Sequence, residues 1–233
     1  MFGSRLSVKC VAAVLLAVAM ASGASALEAQ STHRTRRESN ANRKARIAKT
    51  IEETYSHRWE VGGGAGYLRF RSGRDLQRNN EVAWQTSGTY YLSPKLGIVG
   101  DVRGMYGDAK ISNFYSLNNI FRPSISEYTF MGGVNYRVYM REKLDVGVTG
   151  LAGAAIGKFQ GNITPLLSQQ IGMWPSETRP VFSAGVNVDY NFFPNFAVRA
   201  TPLYLGTTFG NSLQNNLGVN VGVIYRFGRI KTK

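Results

Sequence analysis

The sequence is poor in the residues on which most enzymes and metal proteins depend. It has one cysteine, Cys10, and two histidines, His33 and His57, in 233 residues. Cys10 lies in the first 26 residues, ahead of an apolar run. Loss of that segment would leave no thiol, no disulfide and no cysteine-ligated metal. His33 falls in a polar connector and His57 at the start of the first strand, while Asp75, Asp108 and Glu177 are scattered through later loops. Acid–base and nucleophilic catalysis need a base within reach of its partner, so no enzyme, metal centre or cofactor is expected. Proline is scarce, at 7 residues, and only 18% of residues are charged, whereas glycine is abundant at 26. That balance is poor for a helical bundle and suits many strands and turns. No apolar run reaches the roughly 20 residues of a spanning helix. A membrane location therefore requires a closed barrel, since only helices and closed barrels satisfy every backbone polar group in lipid.

What is present begins with a secretory leader. Arg5 and Lys9 precede the uncharged stretch Cys10 to Met20, and Ala24-Ser25-Ala26 matches a small-x-small cleavage pattern, which predicts a signal peptide over 1–26. Residues 27–56 form a basic connector containing Arg34, Arg36, Arg37, Arg43, Lys44, Arg46 and Lys49. Ile47, Ile51 and Tyr55 recur every four residues and allow a short amphipathic helix over 40–55. A solvated, largely disordered linker is the favoured reading; an arm touching anionic headgroups or cell-wall polymer is the alternative.

From His57 the pattern changes to a period of two, the mark of strands with two different faces. In the last segment Leu217, Val219, Val221, Val223, Tyr225 and Phe227 alternate with Gly218, Asn220, Gly222, Ile224 and Arg226. Eight such segments are predicted, at 57–70, 81–92, 96–106, 127–139, 144–156, 181–192, 196–208 and 214–227. Tight connections at Ser93-Pro94-Lys95, Arg141-Glu142-Lys143 and Phe193-Pro194-Asn195 alternate with mostly longer ones near 71–80, 107–126, 157–180 and 209–213. Short and long connections alternating along a meander are what periplasmic turns and extracellular loops require.

Trp59, Tyr90, Tyr136, Tyr190, Tyr225 and Phe227 stand at equivalent positions near the short-turn ends, forming an interface girdle. Tyr67, Trp84, Tyr106, Tyr128, Phe130, Phe182 and Tyr204 could supply the opposite one. From Phe182 to Tyr190 is about 27 Å along a strand, or about 20 Å of height at a tilt of roughly 40°, compatible with an apolar band of about 25 Å. The other face carries Glu60, Glu81, Asp101, Arg103, Arg137, Asp145, Asp189, Arg199 and Arg226, with lysine nearly absent. A soluble barrel or sandwich would turn its apolar face inward and put many lysines outside. Acids mixed with arginines suit a narrow lumen in which charges must pair.

The segment from Trp59 to Phe227 resembles the outer-membrane β-barrel family that includes the OmpA transmembrane domain, OmpX, OmpW and the opacity-type surface proteins. The resemblance rests on the opening strand Arg58-Trp59-Glu60-Val61-Gly62-Gly63-Gly64-Ala65-Gly66-Tyr67 and the closing strand Gly218 to Phe227. It implies an all-β, eight-stranded, antiparallel up-and-down barrel over 57–227, with 228–233 as a periplasmic tail. It also implies that Phe227 is the aromatic read by the barrel-assembly machinery, although the tail sets it back from the C-terminus. The family says little about activity.

Three functional classes remain. Eight strands leave an interior that side chains fill, so a plug of paired charges is favoured over a gated ion path. The loop from Lys158 to Pro180 holds Leu166, Leu167, Ile171, Met173 and Trp174, which could fold over the barrel mouth, dip into lipid or meet a surface ligand or protein partner. Phe114, Tyr115, Leu117, Ile120 and Phe121 add a second apolar cluster. Arg71, Arg74 and Arg78, against Asp75, could meet lipopolysaccharide phosphates. Without the leader the net charge falls from +14 to +12. No nucleic-acid role is expected, because the aromatics follow lipid-facing periodicity. The expected role is structural or interactive: envelope integrity, adhesion or partner contact. A narrow channel for ions or small, apolar solutes is the alternative.

Overall fold

Alternation sustained over 12 to 17 residues gives each strand an apolar and a mixed face, and eight such strands close on themselves. The computed structural model describes residues 39–110, 123–159 and 167–230. The chain divides into two compact units, 1–43 and 44–233. The described part of the first is Ser39 and the opening turn of a helix; the leader and most of the basic connector lie outside the described residues.

The strands are β1 (Trp59–Arg71), β2 (Arg78–Tyr91), β3 (Leu96–Asp108), β4 (Ser124–Met140), β5 (Leu144–Lys158), β6 (Glu177–Phe193), β7 (Phe196–Thr207) and β8 (Gln214–Phe227). Every neighbouring pair is antiparallel, and β1 pairs with both β2 and β8, so the sheet has no free edge. The differences from the expected ranges lie mainly at the long-loop ends. β2 begins at Arg78 rather than 81, β4 at Ser124 rather than 127, and β6 at Glu177 rather than 181. There the pairing runs on past the outer aromatics, where the outward face is no longer a run of large apolar residues and the contrast that marks a lipid-facing strand is lost. Two register shifts, between Arg137 and Tyr139 and between Asn191 and Phe193, bend β4 and β6 next to the short turns.

Residues 40–55 are helical rather than an irregular linker, forming α1 (Asn40–Tyr55). Ser39 caps it: its hydroxyl accepts from the Asn42 N–H at 3.3 Å. Lys49 and Glu53 pair one turn apart at 4.0 Å. Beyond the helix the Ile230 N–H donates to the Ser56 carbonyl at 2.7 Å, tying the chain's last described residue to the entrance of β1.

The apolar face points outward. Val82, Ile98, Phe130, Val134, Leu217 and Val221 are each about half exposed or more. A continuous belt of such residues is a lipid-facing surface. Register places the inner girdle at one height, since Trp59 lies opposite both Tyr90 and Phe227, Leu96 opposite Tyr136, Leu144 opposite Tyr190, and Phe196 opposite Tyr225. In the outer girdle, Trp84 lies over Gly104 and Phe182 over Gly206; a Cβ at either glycine would come within 2.4 Å of the ring. Tyr106 donates to Tyr128 at 2.9 Å across the next pair. The fold is a transmembrane barrel with short periplasmic turns.

Candidate functional site

Register decides how the inward charges meet. At the periplasmic end Glu60 lies opposite Arg226, and Asp189 opposite Arg199. Asp145 lies opposite Asp189, a like-charge pair that needs cations from other strands. Those cations are supplied. Glu60 is 3.1 Å from Arg137 Nη2, 2.7 Å from Arg199 Nη2 and 3.0 Å from Arg226 Nε. Asp189 accepts two bonds from Arg199, at 2.6 and 2.7 Å, and one from Arg226 at 2.9 Å. Asp145 is 3.1 Å from Arg137 Nε. Three carboxylates thus meet three guanidinium groups, and the cluster is neutral.

Aromatic residues seal this cluster below. The Tyr91 ring lies 3.7 Å from the Arg137 guanidinium carbon, and the Asn135 amide donates to the Tyr91 hydroxyl at 3.0 Å. From the periplasmic side Tyr55, the last residue of α1, reaches in with only 4% of its surface exposed. Its ring sits 5.2 Å from the same guanidinium, and its hydroxyl donates to the Arg141 carbonyl at 2.8 Å in the β4–β5 turn. Burial first, and the Asp145 carboxyl second, push the Tyr55 hydroxyl up to about 12.

The middle layer is neutral and polar. Thr149 and Asn187 both donate to Asn135 Oδ1, at 3.0 and 3.1 Å, and Thr201 donates to Asn187 at 2.9 Å. Asn220 donates to Gln85, Gln85 to Asp101, and Arg103 to Asp101 at 2.6 Å. Two cavities of about 30 Å³ lie among these groups, one beside Asn135, Thr149 and Asn187 and the other beside Asn220, each with room for about one or two waters.

The outer layer is mainly apolar. Leu68, Met105, Ile125, Leu203 and Leu205 are buried on the inward faces. Phe70, Phe159 and Phe209 are fully buried, with ring centroids 5.2 to 6.5 Å apart. Above them residues 168–174 fold over the mouth. Ile171, Met173 and Trp174 are buried, and the Trp174 indole donates to the Arg71 carbonyl at 2.8 Å. Gln214 closes the other side, accepting from the Phe209 N–H at 2.9 Å and donating to its carbonyl at 2.7 Å.

Of the nine charged residues expected in the lumen, six meet in the periplasmic cluster: Glu60, Arg137, Asp145, Asp189, Arg199 and Arg226. Asp101 and Arg103 form a separate pair in the middle layer. Glu81 departs from the expectation that lumen charges pair. It is fully buried in the outer layer, its Oε1 accepts from Asn79 at 3.2 Å, and no cation lies within ion-pair distance among the described residues. Ala83 and Met105 separate it along the sheet from Arg103. Beside it lies a residue the sequence reading missed, Glu127, whose oxygens have no hydrogen-bond partner among the described residues. Glu127 has the inward parity of Arg137 ten positions later, so a period-two count back along β4 finds it.

Of the loop residues, Ile171, Met173 and Trp174 close the barrel, whereas Leu167 is 59% exposed; Leu166 and the cluster at Phe114 to Phe121 lie outside the described residues. Beside Trp174 an open groove of 540 Å³ is lined by Arg74, Asp75, Gln169, Met173, Glu177 and Arg179, with Glu177 and Arg179 paired at 2.8 Å. His57 is engaged with the Thr54 carbonyl at 3.1 Å. Among the described residues no three His, Cys, Asp or Glu side chains gather as metal ligands.

No protein-family model and no curated protein matches the chain. Solved structures do. Neisserial surface protein A is 15% identical with a TM-score of 0.51, covering 72% of this chain and 97% of that one. The outer membrane protein OprG of Pseudomonas aeruginosa is 11% identical with a TM-score of 0.50, over 74% and 98%. Ail, the attachment invasion locus protein of Yersinia pestis, solved with the heparin analogue sucrose octasulfate, is 18% identical with a TM-score of 0.49, over 74% and 99%. The neighbours are small outer-membrane barrels, and what is shared at these identities is the fold.

Proposed function

We propose that this protein is a sealed outer-membrane barrel with a structural or surface-interaction role. The leader 1–26 directs its export, and Phe227 at the end of β8 presents it to the barrel-assembly machinery. The supporting observation is the lumen, occupied along its length by a neutral ion cluster, a polar layer with water-sized cavities and a mainly apolar plug. Opening such a path would separate buried charge partners, a cost of about 3–5 kcal/mol for each one removed, and would also expose the phenylalanine cluster to water. Function then belongs to the two rims. The extracellular groove beside Trp174, with its mixed charges and open side, is the surface best shaped to meet a partner. The reading is tested in proteoliposomes of the refolded chain, checked for heat-modifiable mobility and placed in isosmotic L-arabinose. Swelling no faster than that of protein-free vesicles is expected. Swelling that scales with the amount of folded protein would overturn a sealed barrel.

A further inference from the structure

The outer wall of β1 and β2 carries an arrangement that folding alone does not favour. Arg71 lies directly opposite Arg78 in the antiparallel register, and Arg69 is opposite Asn80, one outward step closer to the membrane. Like charges in facing positions destabilise a strand pair. Proteins ordinarily offset such a pair with a nearby acid, but none does so among the described residues. Asp75 and Asp108 share this rim, yet among the described residues no carboxylate lies within ion-pair distance of Arg69, Arg71 or Arg78. Asn80 adds to the one-sided chemistry. Its Oδ1 accepts the Tyr67 hydroxyl at 2.6 Å, which leaves its NH₂ as the outward-facing group. The result is three guanidinium groups and an amide donor with no side-chain acceptor to meet them among the described residues.

Height identifies the partner. All four residues share the outward parity of Tyr67 and Val82, which belong to the lipid-facing surface and are 41% and 62% exposed. Arg69 and Arg71 follow Tyr67 by two and four residues. At about 3.4 Å per residue and a tilt of roughly 40°, they stand about 5 and 10 Å above the girdle, at the level of lipid headgroups. Arg78 and Asn80 are level with them on the paired strand. Guanidinium groups bind phosphate through paired N–H donors, and a phosphate at this point neutralises the facing arginines without desolvating them in the lumen.

We propose that Arg69, Arg71, Arg78 and Asn80 form a binding site on the barrel wall for the phosphorylated headgroup of an outer-leaflet lipid. The site rests on the barrel standing in an outer membrane, but it is independent of whether the lumen conducts.

The test uses the whole refolded chain and its R69Q/R71Q/R78Q variant in phosphatidylcholine nanodiscs, with or without diphosphorylated lipid A. Both proteins are first checked for heat-modifiable mobility. Lipid retained per barrel is counted by native mass spectrometry, and the unfolding midpoint is measured in parallel. The wild type is expected to retain diphosphorylated lipid A at least tenfold more than the variant, and to prefer it over the dephosphorylated lipid. Added lipid A should raise the unfolding midpoint of the wild type only. In phosphatidylcholine alone the variant should be at least as stable, since repulsion has been removed. Equal retention by the two proteins, or equal retention of dephosphorylated lipid A, would overturn the site. Displacement of bound lipid A by millimolar inorganic phosphate would overturn the lipid assignment in favour of a free-anion site.

Discussion

Glu127 is where burial and charge are most at odds. A carboxyl taken out of water without a donor loses its hydration and gains little in return. Glu81, one strand removed, leans across Gly107, where the absent side chain leaves room, and brings a second acid to the same place. Glu127→Gln keeps the shape, removes one of two neighbouring acids and supplies an amide N–H that can donate to Glu81. The variant should unfold at a higher urea concentration than the wild type, gaining about 1–3 kcal/mol from relief of an unsatisfied buried group. A lower midpoint would show that the acid has a partner. These two residues also mark a limit of sequence reading at this scale. Parity places a side chain inside the barrel, as it did for Glu81, but pairing depends on layer. Leu203 and Leu205 follow Arg199 on the same face of β7, and that change from charged to apolar is the signal that the outer layer cannot hold an ion pair.

At the scale of elements, the strands were legible because lipid outside and charge inside give alternation its strongest contrast. The connector was less so. Its composition suits both a solvated linker and a helix, and the helix over 40–55 is secured by a cap at Ser39 and by docking of Tyr55, neither of which a four-residue spacing reveals. Docking has a pH signature. The docked Tyr55 hydroxyl titrates near 12 instead of its ordinary 10, so the docked state holds its proton where the undocked one has lost it. The contribution of Tyr55 is therefore complete below pH 10, declines as the pH climbs from 10 towards 12, and is insensitive to acid. A difference titration at 295 nm of wild type against Tyr55→Phe should show one phenol ionising near pH 12; ionisation near 10 would mean that the helix end is undocked. The loop after β5 was legible as an apolar segment needing burial, but not in its choice of site. Trp174 goes to the mouth because the Arg71 carbonyl, at the end of β1, offers its indole N–H an acceptor there.

For the whole molecule, closure follows from strand number. Eight strands enclose a cylinder that side chains fill, and this sequence fills it with different chemistry at each end. The periplasmic cluster could be anticipated from the mixture of acids and arginines without lysine. The apolar outer plug was not, because Phe70, Phe159 and Phe209 come from a strand end and two loops and meet only when the barrel closes. Single-channel recording of the refolded chain in planar bilayers tests the sealed lumen most directly. The wild type is predicted to give no steady steps, leaving the bilayer as quiet as the protein-free membrane. Steady, ohmic steps from folded protein, altered by Arg137→Ala, would place an ion path through the periplasmic cluster and contradict the account.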